Sequence, residues 1–97
     1  MLYAMIAKDA PGTGQQRLDT RPVHLQYLES LGKKLVFAGA LLDGEDKPEG
    51  SLVIFSTETL EEARQLAEAD PFVAAGVFGS IEIKRWRIAV NTSGVEI

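Results

Sequence analysis

Leu35-Val36-Phe37-Ala38-Gly39-Ala40-Leu41-Leu42 is apolar from end to end, and whether it forms strand or helix decides the fold. Eight residues are few for a buried helix, and Val36 and Phe37 favour extended backbone, so the stretch reads as a strand. Asp43 to Gly50 follows as a polar connection containing Gly and Pro, and Ser51 to Phe55 is a second strand with adjacent apolar residues. The two make a hairpin with a long loop.

Working upstream, Leu2 to Lys8 is short, apolar and followed by breakers, and reads as the first strand. Asp9-Ala10-Pro11-Gly12-Thr13-Gly14 is a loop by composition, and it lacks the glycine spacing of a phosphate-binding turn. Gln15 to Leu31 reads as a helix whose buried stripe is Leu18, Leu25, Leu28 and Leu31. Pro22 cannot donate to Leu18, which predicts a kink or a restart there with Thr20 as a new cap. On a wheel of about 100° per residue, His24 falls between Leu28 and Leu31 and Arg21 between Leu25 and Leu28. Two polar side chains thus lie on or beside the apolar face. Gly32 ends the helix.

Downstream, Thr59-Leu60-Glu61-Glu62 is a capping box. It opens a helix with Leu60, Ala63, Leu66 and Ala67 inward, ending near Ala69. Asp70-Pro71 starts a short extra turn that Gly76 closes, an N-cap followed by proline at the first helical position. Phe78 to Val90 is the last strand. Its apolar parity changes between Ile83 and Trp86, which predicts a bulge near Lys84-Arg85. Asn91 to Ile97 is a tail whose Val95 and Ile97 add pairing on a neighbour.

The order strand, helix, strand, strand, helix, strand is the ferredoxin-like βαββαβ unit, an α+β fold with a four-stranded antiparallel sheet and two main helices on one face. The hairpin strands carry apolar groups on both sides. The uncovered side therefore calls for a partner, and a homodimer joined through sheet faces is the simplest solution.

Composition narrows the function classes. A chain of 97 residues suits one domain, spanning 1–97, with little core to spare. The formal charge of −4, with no run of basic residues, disfavours nucleic acid. The absence of cysteine excludes disulfides and thiolate metal sites and agrees with a cytoplasmic setting. No stretch approaches the ~18 apolar residues of a membrane span, and the N-terminus lacks the charged region of a signal peptide.

His24 is the only histidine, the one side chain whose ordinary titration lies near neutrality. A carboxylate bonded to it would fix its tautomer, the minimum equipment for acid–base chemistry. Asp70 is the candidate, and capping leaves it lone pairs to spare. With one histidine and no cysteine, the expectation is that no metal or other cofactor is used. Arg21 is either an anion anchor one turn before His24 or a solvated side chain covering apolar surface. Ser51 either bonds a ligand or merely starts a strand. Tyr3 and Trp86 wall a pocket or, more simply, pack in the core. Glu45, Asp46 and Glu49 make a solvated acidic loop.

The segment Arg21-Pro22-Val23-His24-Leu25-Gln26-Tyr27-Leu28 resembles the RPxHLxYL segment of YCII-related (YciI-like) proteins. Gly50-Ser51 resembles their GS position, and Ala69-Asp70-Pro71-Phe72-Val73-Ala74-Ala75-Gly76 their aDPFvxaG segment. The segments keep the family's order and span nearly the whole chain. The resemblance implies a dimeric α/β-barrel with an active site around His24 and Asp70. Some relatives dehydrochlorinate chlorinated aromatics, and the wider fold group includes muconolactone isomerases and cofactor-free monooxygenases. A shared fold does not transfer a reaction. The expectation is a cofactor-independent enzyme that moves a proton during elimination or isomerisation of a small cyclic or aromatic molecule. Its rivals are a non-catalytic ligand-binding dimer and a structural module.

Overall fold

The computed structural model describes residues 1–97. Its elements run β1 (Leu2–Asp9), α1 (Gly14–Ser30), β2 (Leu35–Leu42), β3 (Pro48–Ser56), α2 (Leu60–Glu68), α3 (Pro71–Ala74) and β4 (Phe78–Trp86), with a 3-10 turn at Gly32–Lys34. The strands form one antiparallel sheet in the order β2-β3-β1-β4. This is the ferredoxin-like α+β fold expected from the order of elements, of the dimeric α/β-barrel group.

Alternation along the strands sorts their side chains into two faces. Tyr3, Met5 and Ala7 of β1 and Val53 and Phe55 of β3 point beneath the helices, where Ala63 and Ala67 of α2 complete the buried core. Leu35, Leu66, Ile81 and Ile83 close its rim. The opposite face carries Ile6, Phe37, Leu41, Leu52 and Trp86, all exposed, around a shallow concavity of about 660 Å³.

Local chemistry explains the ends of the elements. Thr59 Oγ1 accepts from the Glu62 amide at 3.1 Å, the first half of the capping box. Glu62 reaches back to the Glu58 amide rather than to Thr59. Leu31 caps α1, and Gly32 beyond it has φ +58°, as read from the sequence. After α3, Gly76 takes φ +74°. The Gly76 amide donates to Val73 and the Val77 amide to Phe72, each at 3.0 Å. That is a Schellman ending, with Val77 fully buried behind it.

Four details differ from expectation. Helix α1 runs unbroken through Pro22, so Thr20 caps nothing. Proline there is tolerable because its side of the helix is exposed, and the Leu18 carbonyl it leaves unpaired can meet water. The inward line of α1 is Arg17, His24 and Leu28, while Leu18 is 66% exposed and Leu25 also lies outside the core. The hairpin loop is short because β3 begins at Pro48. Asp43 Oδ1 accepts from the Lys47 and Glu45 amides and organises the turn, and those two bonds hold its carboxyl below the usual range. Finally, β4 stops at Trp86 without a bulge at Lys84-Arg85. Ile81 and Ile83 face the helices, whereas Trp86 pairs with Leu2 on the open side, and that change of face is what the parity recorded. The register shift falls instead at Lys8/Asp9. Residues 91–97 form no strand, and Val95 and Ile97 lie beside Leu35 and Val36 of the same chain.

Candidate active site

Helix α1 lies over the sheet with a cavity of about 320 Å³ beneath it. This explains its polar inward line: part of its buried face looks into a pocket rather than onto apolar core. Leu28, Leu35, Ala38, Ala40 and Val53 give the pocket apolar walls. Arg17, His24, Ser51 and Phe72 supply the groups with directional chemistry.

His24 Nδ1 lies 2.8 Å from Asp70 Oδ1, with both side chains buried. A carboxylate can only accept, so Nδ1 carries the hydrogen, and in the neutral imidazole the free lone pair is then on Nε2. The same Asp70 oxygen accepts from the Phe72 amide at 2.9 Å as the N-cap of α3. The cap thus holds the carboxylate rigidly toward His24. Phe72 completes the clamp. Its ring stacks on the imidazole with centroids 3.8 Å apart and planes 13° from parallel, and Phe78 meets it edge-on.

Beside this pair sits an ion pair with little exposure. Arg17 Nε donates to Asp9 Oδ2 at 2.7 Å and Nη2 to Asp9 Oδ1 at 3.1 Å, a two-point pair. Nη2 also reaches the Gly50 carbonyl and Ser51 Oγ, each at 2.8 Å. The guanidinium carbon lies 4.7 Å from the centre of the Phe72 ring. Gly50 is required here by space: a Cβ would stand 2.5 Å from the Ala7 carbonyl oxygen of β1.

Tyr27, one turn after His24, donates its hydroxyl to the Leu66 carbonyl at 2.7 Å and ties α1 to α2. Burial first, and then the negative charge of Asp70, push its phenol above the usual tyrosine range.

Of the residues singled out in the sequence, His24 and Ser51 line this pocket, and Asp70 reaches it only through its contact with His24. Arg21 lines it too but is exposed and makes no hydrogen bond. Tyr3 is in the core beneath the helices, and Trp86 lies on the open sheet face, not in the core. Sequence reading missed Arg17 and Asp9. The signal for Arg17 was available, since it lies seven residues before His24 on the same helical line. Nothing local marked Asp9, which looked like the start of a loop.

The YCII-related domain family matches residues 1–87, and the chain belongs to that family. It is 38% identical over 95 residues to Protein YciI of Escherichia coli O6:H1, covering 90% of this chain and 97% of that one. Among solved structures it is similar to 5-chloro-2-hydroxyhydroquinone dehydrochlorinase (TftG) from Burkholderia phenoliruptrix AC1100, in complex with 2,5-dihydroxybenzoquinone. That likeness has a TM-score of 0.83 and 35% identity, over 90% of this chain and 94% of the other. A protein of unknown function from Nitrosomonas europaea shares the fold alone, at 21% identity and a TM-score of 0.55 over 96% and 94% of the two chains. No helix is long and apolar enough to cross a membrane.

Proposed function

We propose that this protein is a cofactor-independent acid–base enzyme that eliminates or isomerises a small cyclic or aromatic molecule. His24 is the proton-transferring group, and Asp70 orients it. The observation that carries the reading is the 2.8 Å contact between His24 Nδ1 and an Asp70 oxygen pinned by its own cap, which leaves Nε2 free beside the cavity. The dehydrochlorinase at 35% identity supports the elimination form of the reaction. In that form Nε2 takes a proton from the substrate, and the electrons of the broken bond enter the ring system. Chloride then departs with the carbon–chlorine pair, so that hydrogen chloride is lost in all.

Ser51, and Arg21 at the exposed side of the pocket, serve in binding. The homodimer is part of the same reading. It is supported by the apolar cluster of Phe37, Leu52, Trp86 and Ile6, which the chain's own helices leave uncovered.

The experiment is a chloride-release assay on a chlorinated hydroxyhydroquinone, run with the wild type and His24→Ala. Release by the wild type that falls about 10²–10⁴-fold in the variant supports the reading. Equal release by the two proteins overturns the role of His24.

A further inference from the structure

Arg17 is a full positive charge within the pocket wall, and its hydrogen bonds are used unequally. Its side chain is 9% exposed. Nε and Nη2 are committed to Asp9, Gly50 and Ser51. Nη1 makes no hydrogen bond to the protein. No fully buried side-chain nitrogen or oxygen in the chain lacks a partner, so Nη1 reaches open space, and the space that Arg17 lines is the pocket. Ser51 is placed in the same way. Its oxygen accepts from Arg17, which turns its own hydrogen elsewhere, and no protein group accepts that hydrogen. Two directed donors, one of them charged, are thus left over at one end of the cavity. His24 and Arg17 both rest on the Phe72 ring, one stacked at 3.8 Å and the other at 4.7 Å, and both line the same cavity.

We infer that Arg17 Nη1 and the Ser51 hydroxyl form an oxygen-binding pair, and that the ligand is a ring bearing an acidic hydroxyl or enol oxygen. This inference rests on the acid–base reading above and deepens it. When the base removes a proton from such a ring, negative charge gathers on the ring oxygen, and fixed donors aimed at that oxygen stabilise it most as the charge forms. Asp9 is the positioning residue. It holds the far edge of the guanidinium and turns Nη1 to the cavity. It also offsets most of the charge of Arg17, so recognition depends on the two directed hydrogen bonds more than on net attraction. The charged groups at the exposed side of the pocket, Arg21 and Glu29, are of opposite sign and leave little net field there.

The test uses binding, not turnover. The probes are 4-nitrophenolate, followed by its absorbance, and nitrobenzene, which has the ring but no ionisable oxygen. The proteins are the wild type, Ser51→Ala, the double variant Arg17→Met/Asp9→Asn, and His24→Ala. The double change removes both buried charges together and so avoids leaving Asp9 unpaired. Circular dichroism confirms that each protein is folded. Should the double variant not fold, Ser51→Ala decides, because it leaves the Arg17–Asp9 pair and the Gly50 bond intact.

The expected result is that phenolate binds more tightly than nitrobenzene. Ser51→Ala weakens phenolate by on the order of tenfold, as for a hydrogen bond to a charged group. The double variant weakens it further and binds nitrobenzene as the wild type does, while His24→Ala still binds phenolate. Equal binding of the two probes, phenolate binding indifferent to Ser51 and Arg17, or no phenolate binding at millimolar concentration would each overturn the inference. The two readings fail separately. Turnover that depends on His24 with probe binding indifferent to Arg17 and Ser51 removes the oxygen-binding pair alone. Probe binding as described without any turnover that depends on His24 removes the enzyme and leaves the binding pair.

Discussion

The imidazole of His24 lies flat against the ring of Phe72, and that ring belongs to the residue whose amide caps onto Asp70. Position, tilt and hydrogen bonding of the histidine are therefore set by three consecutive residues, Asp70-Pro71-Phe72. Phe72→Ala removes a fully buried ring and should cost about 3–5 kcal/mol in denaturant unfolding. Phe72→Leu keeps most of the volume but not the flat seat. It should remain folded while turnover falls about ten- to a hundredfold, as for a reacting group slightly misplaced. Undiminished turnover in the leucine variant would show that stacking does not position the base.

Asp70→Asn preserves shape and much of the cap but replaces an obligate acceptor with a group that can also donate. The Nδ1–H form of His24 then loses its advantage. Nitrogen chemical shifts of the imidazole should show a mixture of tautomers in the variant, with lower turnover and an intact fold. Chelation should leave turnover unchanged in both proteins.

Gly50→Ala tests the close approach of β3 to β1. The added methyl would stand 2.5 Å from the Ala7 carbonyl oxygen and 3.3 Å from Leu41 Cδ1; the leucine side chain can turn aside, but the carbonyl is backbone, so the strands must part. The expected loss is about 1–3 kcal/mol by thermal or denaturant unfolding. Because the Gly50 carbonyl holds Arg17, pocket binding should weaken as well. A variant as stable as the wild type would mean that the sheet yields more easily than its geometry suggests.

Tyr27 gives an alkaline signature. Its phenol titrates above the ordinary value because of burial and then the charge of Asp70. The folded state therefore holds this proton more firmly than the unfolded chain. The stability it contributes is fully present below about pH 10 and is lost as pH rises through the folded value. Tyr27→Phe should be less stable than the wild type by about 1 kcal/mol near neutrality, from the lost bond to Leu66. The gap should close as pH rises past about 10. A gap independent of pH would show that the phenol titrates alike in both states.

Sedimentation at micromolar concentration should give twice the chain mass, from an interface of about 1,600 Å² or more in total. Leu52→Glu, on the open face and away from the His24 pocket, should yield a folded monomer. A monomeric wild type would leave the apolar face of the sheet without the proposed occupant.

The fold was legible because two apolar runs separated only by Asp43–Gly50 forced a hairpin between two helical segments. The site was half legible. His24 and Asp70 announced themselves as a lone histidine and a cap before proline. Arg17 did not, because a search for buried faces ranks leucines first. Leu18 therefore looked like the inward residue when Arg17 beside it was. That rule assumes a helix lying on solid core, and α1 instead roofs a cavity. The Pro22 restart failed for a related reason. Local propensity argues for a break, whereas α1 is anchored on both sides of the proline by Arg17 and by His24 and Leu28, so the missing bond costs too little to break it.

One oxygen of Asp70 accepts both the Phe72 amide and the His24 ring. Either duty by itself would leave the position permissive: serine, threonine or asparagine can cap a helix, and glutamate can accept from a histidine. Together they leave almost no substitute. A hydroxyl caps but carries no charge for the imidazole, and glutamate reaches too far to close on an amide two residues ahead. The position is thus narrow for a reason of local geometry, before any substrate arrives. A drift in the chemistry of this scaffold would have to pass through residues other than Asp70.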